Sequence, residues 1–290
     1  MAFPNNVVFC SVDGNIACGK STALKCIRGV ASELRKEDPT FKLLFKTDVD
    51  VFQEPVSRFS NFEGMFDPLY LMYTEPVANC AVGQLHIMRV LARSFKTLLK
   101  PLGLDWTEGD STTECVRRRK NPRTAQSQED EGELKILVTE RSPVAIKAFL
   151  DTNLRCGSLS RFAVAYLETL WDEFFRDSPK PSLFIFLDTS NVGCIERVKL
   201  RSRPGEEKLT LPYLDELSYC YSKVLSNVEE DNDSKVKKLD IELRSGRKCS
   251  LLEPEVIARK LLVEIKKHVL EKKGVSEEEY LRAQSLRKRE

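Results

Sequence analysis

Histidine is nearly missing from this chain of 290 residues: only His86 and His268 occur. So few imidazoles exclude a multi-histidine metal centre, argue against a histidine-based triad and leave acid–base chemistry to carboxylates. The C-x-x-C spacing is missing as well. The nine cysteines (Cys10, Cys18, Cys26, Cys80, Cys115, Cys156, Cys194, Cys220 and Cys249) are odd in number and scattered. They read as reduced thiols rather than a disulfide framework or a structural zinc site. No apolar run approaches the ~18–20 residues that span a bilayer, and the first residues lack the basic start of a targeting signal. A cytoplasmic protein without a membrane partner is expected. Nor is there a charge excess: 46 Lys and Arg against 44 Asp and Glu leave +2. That is too little to gather a polyanion, so no nucleic-acid partner is expected. What is present, 41% hydrophobic and 31% charged residues, is the composition of a globular protein at about twice the common domain length.

Val7–Val12 is a short apolar run halted at Asp13-Gly14 and reads as a buried strand. Thr22–Leu34 places Ala23, Leu24, Ile27, Val30, Ala31 and Leu34 at helical spacing. Phe41–Phe45 and Asp48–Phe52 read as strands, the second ended by Pro55. Pro76–Leu99 reads as a long helix, Lys135–Thr139 and Ser182–Leu187 as strands each followed by a helical pattern, Lys235–Ile241 as a weaker strand, and Glu253–Glu271 as an amphipathic helix. Strands alternating with helices predict an α/β fold with a parallel, doubly wound sheet flanked by helices. Leu104–Glu133, with eight acids, five bases and no period, reads as a flexible insertion. Its Arg117-Arg118-Arg119-Lys120 cluster is expected to be solvated, a nuclear-localisation signal being the alternative. Residues 275–290 read as a charged tail.

Gly14-Asn15-Ile16-Ala17-Cys18-Gly19-Lys20-Ser21-Thr22 matches G-x-x-x-x-G-K-[ST] between a strand and a helix, the setting that makes it a phosphate-binding P-loop for ATP. The glycines permit tight turns that aim successive N–H groups at phosphate oxygens. Lys20 adds a cation, worth about 4 kcal/mol against a unit charge at ~4 Å and an effective dielectric of 20. Ser21 offers a hydroxyl to Mg²⁺. Glu54 stands at the carboxyl end of a strand, where ligands of open α/β sheets gather, and can take a proton from an attacking hydroxyl. Glu140 and Arg141 end another strand: the acid can hold Mg²⁺, directly or through water, and the guanidinium can meet phosphate. Arg197, Lys199, Arg201 and Arg203 crowd before Pro204-Gly205. Such a run is ordinarily a solvated face; beside a P-loop it reads as an arginine-rich lid over about residues 197–210.

In this order (P-loop, Glu54-Pro55-Val56, Met72-Tyr73, Gln84 on a helix, Glu140-Arg141-Ser142, an arginine lid, then Leu211-Pro212-Tyr213-Leu214-Asp215-Glu216-Leu217) the motifs resemble the deoxyribonucleoside kinases, from about Val7 to Leu225. The resemblance implies a P-loop kinase fold and ATP-dependent phosphorylation of a deoxyribonucleoside 5′-hydroxyl with Mg²⁺. It implies Glu54 as general base, Arg141 beside the hydroxyl and phosphates, and Glu140 with Ser21 ordering Mg²⁺. Arg201 and Arg203 would be the lid arginines. Tyr73 would meet the sugar 3′-hydroxyl together with Glu207, or with Glu206, since Pro204-Gly205 lengthens the lid. Gln84 would pair with the base edge, for which an amide has both donor and acceptor. Phe59, Met72, Ile87, Leu91 and Ile146 would complete the substrate pocket. The apolar Leu91 and Ile146 resemble thymidine-accepting and broad-specificity members. Cys18 in the loop and Pro143 after Ser142 depart from the family pattern. A homodimer is implied by analogy.

A single kinase domain over residues 1–274 is therefore expected. Two rivals share the P-loop: a nucleoside monophosphate kinase of the thymidylate type, and a non-catalytic nucleotide-binding subunit.

Overall fold

The structure, a computed structural model, describes residues 6–102, 133–230, 234–245 and 248–287. The expected insertion and its basic cluster at residues 117–120 lie outside the described residues. Five parallel strands form the central sheet in the order β2-β3-β1-β4-β5: β1 (Val7–Gly14), β2 (Val49–Phe52), β3 (Lys135–Glu140), β4 (Leu183–Asp188) and β5 (Lys235–Asp240). All eight residues of β1 are buried, which is why it reads as a continuous apolar run rather than an alternating one. Its side chains still alternate between two cores. Val8, Cys10 and Val12 join Ile136 and Val138 under α1 (Lys20–Glu37), whereas Phe9 and Leu137 join the core on the opposite face. That second core is built with α5 (Pro76–Leu99) and α7 (Arg161–Phe175). The buried stripe of α1 holds all six apolar positions expected from spacing.

Between α1 and β2 the expectation fails. Phe41–Phe45 is not a strand; residues Pro39–Leu44 form a short helix, α2. Asp38 caps it, accepting from the Phe41 N–H at 2.9 Å, and Pro39 occupies the first helical position, a strong pair of helix-start signals. The run also fits a helical turn, since Phe41 and Phe45 stack with centroids 3.9 Å apart. The remaining helices are α3 (Val56–Phe59), α4 (Pro68–Thr74), α6 (Val144–Arg155), α8 (Asn191–Arg201), α9 (Leu211–Glu230), α10 (Pro254–Lys272) and α11 (Glu277–Arg287). An antiparallel pair, β6 (Glu242–Ser245) and β7 (Lys248–Leu251), was not foreseen. The tail helix α11 is tied down at its first turn, where Glu277 and Asp38 share the Lys266 ammonium at 2.9 and 2.7 Å. No helix among the described residues is long and apolar enough to cross a membrane.

Because the strands are parallel, their carboxyl ends meet on one side of the sheet. The register sets Val12 beside Glu140, Phe52 beside Thr139 and Gly14 beside Leu187. Three motifs far apart in sequence thus share one rim.

His268 on α10 is buried against β4, its Nε2 3.0 Å from the Ser182 hydroxyl and its Nδ1 without a partner. Burial pushes its pKa down to about 4, and Lys272, Lys235 and Lys237 act the same way while Glu271 opposes them. In the unfolded chain the ordinary value is about 6.5. The unfolded state therefore binds the proton first, and stability is lost as pH falls from about 7 towards 4, by up to about 3 kcal/mol. The buried Asp13, raised to about 6, acts in the opposite sense. Comparison with His268→Gln isolates the histidine: thermal unfolding of the wild type is expected to lose more stability between pH 7 and 5 than the variant does. Equal losses would remove His268 as the cause.

Candidate active site

A cavity of about 590 Å³ opens at this rim. Its floor is the P-loop. Gly14 (φ +146°) and Gly19 (φ +100°) take backbone conformations open to glycine, and a Cβ on Gly14 would stand 2.7 Å from the Cys18 sulfur. Ile16, Ala17, Cys18, Gly19, Lys20, Ser21 and Thr22 all line the cavity. The Lys20 ammonium is buried and donates to the carbonyls of Gly14 (3.0 Å) and Asn15 (2.7 Å). Asn15 differs from its neighbours: its side chain turns away from the cavity towards α8 and α9. Arg197 lines the cavity and braces the loop, its Nε donating to the Ala17 carbonyl at 2.7 Å.

Above the loop stand the two acids of the sequence motifs, Glu54 and Glu140. The Ser21 hydroxyl donates to Glu140 Oε1 at 2.6 Å, and the Glu54 N–H donates to Glu140 Oε2 at 3.3 Å. Arg141, left-handed at φ +59° as β3 ends, directs Nη1 to Glu54 Oε2 at 2.5 Å and Nε to the Tyr221 hydroxyl at 2.9 Å. Burial opposes the charge on Arg141, but Glu54, Tyr221 and Glu140 hold it protonated well above its ordinary range. Asp13, one residue before the loop, accepts from Ser11 at 2.6 Å and keeps Oδ1 unpartnered. Pro143 fits because it starts α6 at φ −54°, within the range its ring fixes; its carbonyl accepts from the Trp171 indole at 2.8 Å, and Lys147 lies 3.9 Å from that ring.

Phe59, Met72, Tyr73, Gln84, Ile87, Leu91 and Ile146, expected from sequence in a substrate pocket, all line the same cavity. Gly83 makes this possible, since a Cβ there would meet Met72 Cγ and Sδ at 2.1 Å. Val56, Leu69, Ala145, Phe149 and Tyr213 also line the wall; Val56 and Tyr213 stand in the quoted motifs without a pocket role assigned to them, and the other three look like ordinary helix packing in the sequence. At the far end Leu251, Leu252, Pro254 and Ile257 approach the loop, with Leu251 3.2 Å from a Cβ built on Gly19. Nothing in their sequence marks them.

The lid places one acid differently. Glu207 is exposed and outside the cavity, whereas Glu206 is 1% exposed and lines it. Gly205 (φ +83°) turns the chain so that Glu206 meets Arg201 at 2.5 Å and Arg203 at 3.0 Å. A Cβ on Gly205 would crowd Tyr70 at 3.1 Å. Tyr73 is half-buried beside Glu206, and both desolvation and that carboxylate raise its phenol pKa.

Ser21 and Glu140 bring two hard oxygen ligands to one point. Mg²⁺ needs only one or two protein groups, because it keeps waters and substrate phosphates, so the pair fits that ion. No cluster of three or more His, Cys, Asp and Glu residues among the described residues competes for it.

Residues 10–270 match the family described as deoxynucleoside kinase. The chain is 27% identical to a thymidine kinase of Ictalurid herpesvirus 1 (strain Auburn) over 228 residues, 78% of each chain. It is 25% identical to the mitochondrial thymidine kinase 2 of Homo sapiens over 216 residues, covering 74% of this chain and 63% of the human one. A deoxyguanosine kinase of Dictyostelium discoideum shares 28% identity over 89 residues, 31% of each.

Proposed function

Given that the chain belongs to the deoxynucleoside kinase family, we propose that it transfers the γ-phosphoryl group of ATP to the 5′-hydroxyl of a deoxyribonucleoside, with thymidine among the favoured acceptors. The observation that carries this reading is the Glu54–Arg141 pair at 2.5 Å, set in one cavity between the P-loop and Gln84. Arg141 holds Glu54 by Oε2, which leaves Oε1 to accept the hydroxyl proton as the oxygen attacks. Lys20, the loop amides, Arg197 and the lid arginines supply the positive charge that a transferring phosphoryl group requires. Ser21 and Glu140 would hold Mg²⁺, which screens the triphosphate charge when bound. Tyr73 and Glu206 stand where a sugar hydroxyl would lie between base and phosphate, and Glu206 replaces Glu207 in that role. The base end is apolar apart from Gln84, which suits a pyrimidine carbonyl and N–H read together. Homodimerisation belongs to the same proposal: Val82 on α5 and Phe162 and Tyr166 on α7 are exposed apolar side chains that a second copy would cover.

A monophosphate kinase would have to seat an acceptor phosphate against the Glu54 carboxylate, where like charges repel. The deciding experiment is a panel of the four deoxynucleosides with ATP and Mg²⁺, plus thymidylate. Transfer to nucleosides, thymidine prominent, and none to thymidylate is expected. Thymidylate as the better acceptor would overturn the reading, and nucleotide binding without any transfer would favour a non-catalytic subunit.

A further inference from the structure

Asn15 sits inside the P-loop and yet its side chain does not face the cavity. It is 2% exposed, and its amide is fully used. Oδ1 accepts from the Ile16 N–H at 2.7 Å, inside the loop. Nδ2 faces three acceptors: Asn191 Oδ1 at 2.8 Å, the Leu214 carbonyl at 2.9 Å and the Ser218 hydroxyl at 2.9 Å. An amide has two N–H groups for these three acceptors, so the cluster is saturated. It is also cross-linked, since Ser218 donates to Asn191 Oδ1 at 3.1 Å and Asn191 Nδ2 donates to Asp215 at 2.8 Å.

The elements joined here carry the rest of the machinery. Asn191 is the first residue of α8, the helix that bears Arg197 and Arg201. Leu214 and Ser218 belong to α9, which bears Tyr213 in the acceptor wall and Tyr221, the partner of Arg141. The main-chain carbonyl of Asn15 meanwhile accepts from Lys20 at 2.7 Å. One residue therefore touches the loop lysine with its backbone and, with its side chain, the roots of the lid helix and of the helix behind Arg141.

We propose that Asn15 is a positioning residue that locks the phosphate loop in register with α8 and α9, so that the donor phosphates, the lid arginines and the Glu54–Arg141 pair share one frame. The proposal rests on the kinase reading above. Misplacement of reacting groups by about 1 Å can cost 100-fold in rate, whereas most of the acceptor wall (Phe59, Met72, Tyr73, Gln84, Ile87 and Leu91) stands on α3, α4 and α5, to which the Asn15 side chain makes no hydrogen bond. Asn15→Ala is therefore expected to lower kcat/KM for ATP by about 10- to 100-fold, through both kcat and the KM for ATP. The dissociation constant of the best panel acceptor, measured by calorimetry without ATP, should stay at the wild-type value. Asn191→Ala and Ser218→Ala each remove one acceptor and leave Asn15 in place; both should show the same split at smaller size. Asn15→Ala/Asn191→Ala should fall short of the product of the single effects, as expected for groups acting through one contact.

Wild-type kinetics for ATP in Asn15→Ala overturn the proposal. If Asn15→Ala does not fold, Asn191→Ala and Ser218→Ala decide: a lowered unfolding midpoint with unchanged ATP kinetics makes the cluster merely structural and overturns the proposal too. Equal losses in acceptor and ATP binding do the same. Failure of the kinase reading looks different, because the wild type itself would then phosphorylate no nucleoside.

Discussion

Glu54→Gln should lose about 10²- to 10⁴-fold in turnover, the range over which a positioned general base acts, and still bind nucleoside. Glutamine keeps the shape of the side chain, and its carbonyl oxygen can accept the Arg141 Nη1 donor that Glu54 Oε2 accepts at 2.5 Å. The main-chain N–H of residue 54 still reaches Glu140, so the rim at the end of β2 is preserved. What disappears is the ability to take a proton. Few other groups can replace it: Glu140 is engaged by Ser21 and Glu206 by two arginines. His86 contacts the Arg58 carbonyl at 2.9 Å and is no part of the cavity lining. Single-turnover kinetics with ATP and Mg²⁺, paired with nucleoside calorimetry, check both halves of the result. Undiminished turnover would remove Glu54 as the base, and lost nucleoside binding would show that the variant changed more than the proton.

The parts of the site that were legible in the sequence are those whose chemistry is local. A P-loop needs particular backbone angles and donors at consecutive residues, so Gly14 to Thr22 announces itself, and the strand ends at Glu54 and Glu140-Arg141 follow from short apolar runs. Phe41–Phe45 failed because the same apolar residues suit a strand or one helical turn, and the deciding signals, Asp38 and Pro39, lie just before them. The choice between Glu206 and Glu207 turns on Gly205 and on two arginines that only the folded lid brings to one carboxylate. Phe149, Leu251, Leu252, Pro254 and Ile257 reach the cavity from helices and a hairpin placed by packing, so no spacing rule singles them out. The P-loop motif includes Asn15, but a motif records which residue occurs and not which way its side chain turns, here towards α8 and α9.

Arg141 carries the second large expectation, and two substitutions separate its roles. Its guanidinium serves three acceptors in three directions, Glu54 Oε2, the Tyr221 hydroxyl and the Gly14 carbonyl at 3.3 Å, and its carbon lies 5.2 Å from the Phe149 ring centroid. A lysine keeps the charge but offers its donors from one point on a flexible stem, without the fork. Arg141→Lys should therefore fold and lose about 10²- to 10³-fold in kcat, the usual effect of removing a preorganised donor. Arg141→Met goes further, because Glu54 is left as a largely buried carboxylate, its side chain 13% exposed, without its counter-charge. Breaking one side of a buried pair costs about 3–5 kcal/mol, whereas removing both charges together is far milder. Arg141→Met should accordingly unfold at lower denaturant than the wild type, and Arg141→Met/Glu54→Gln should recover much of the difference while remaining inactive. A double variant no more stable than Arg141→Met would mean that the stranded charge is not the source of the loss, and that Arg141 acts mainly through Tyr221, Phe149 and the turn it forms at φ +59°. Recovery of stability without recovery of activity is the outcome that separates what holds this rim together from what moves the phosphoryl group across it.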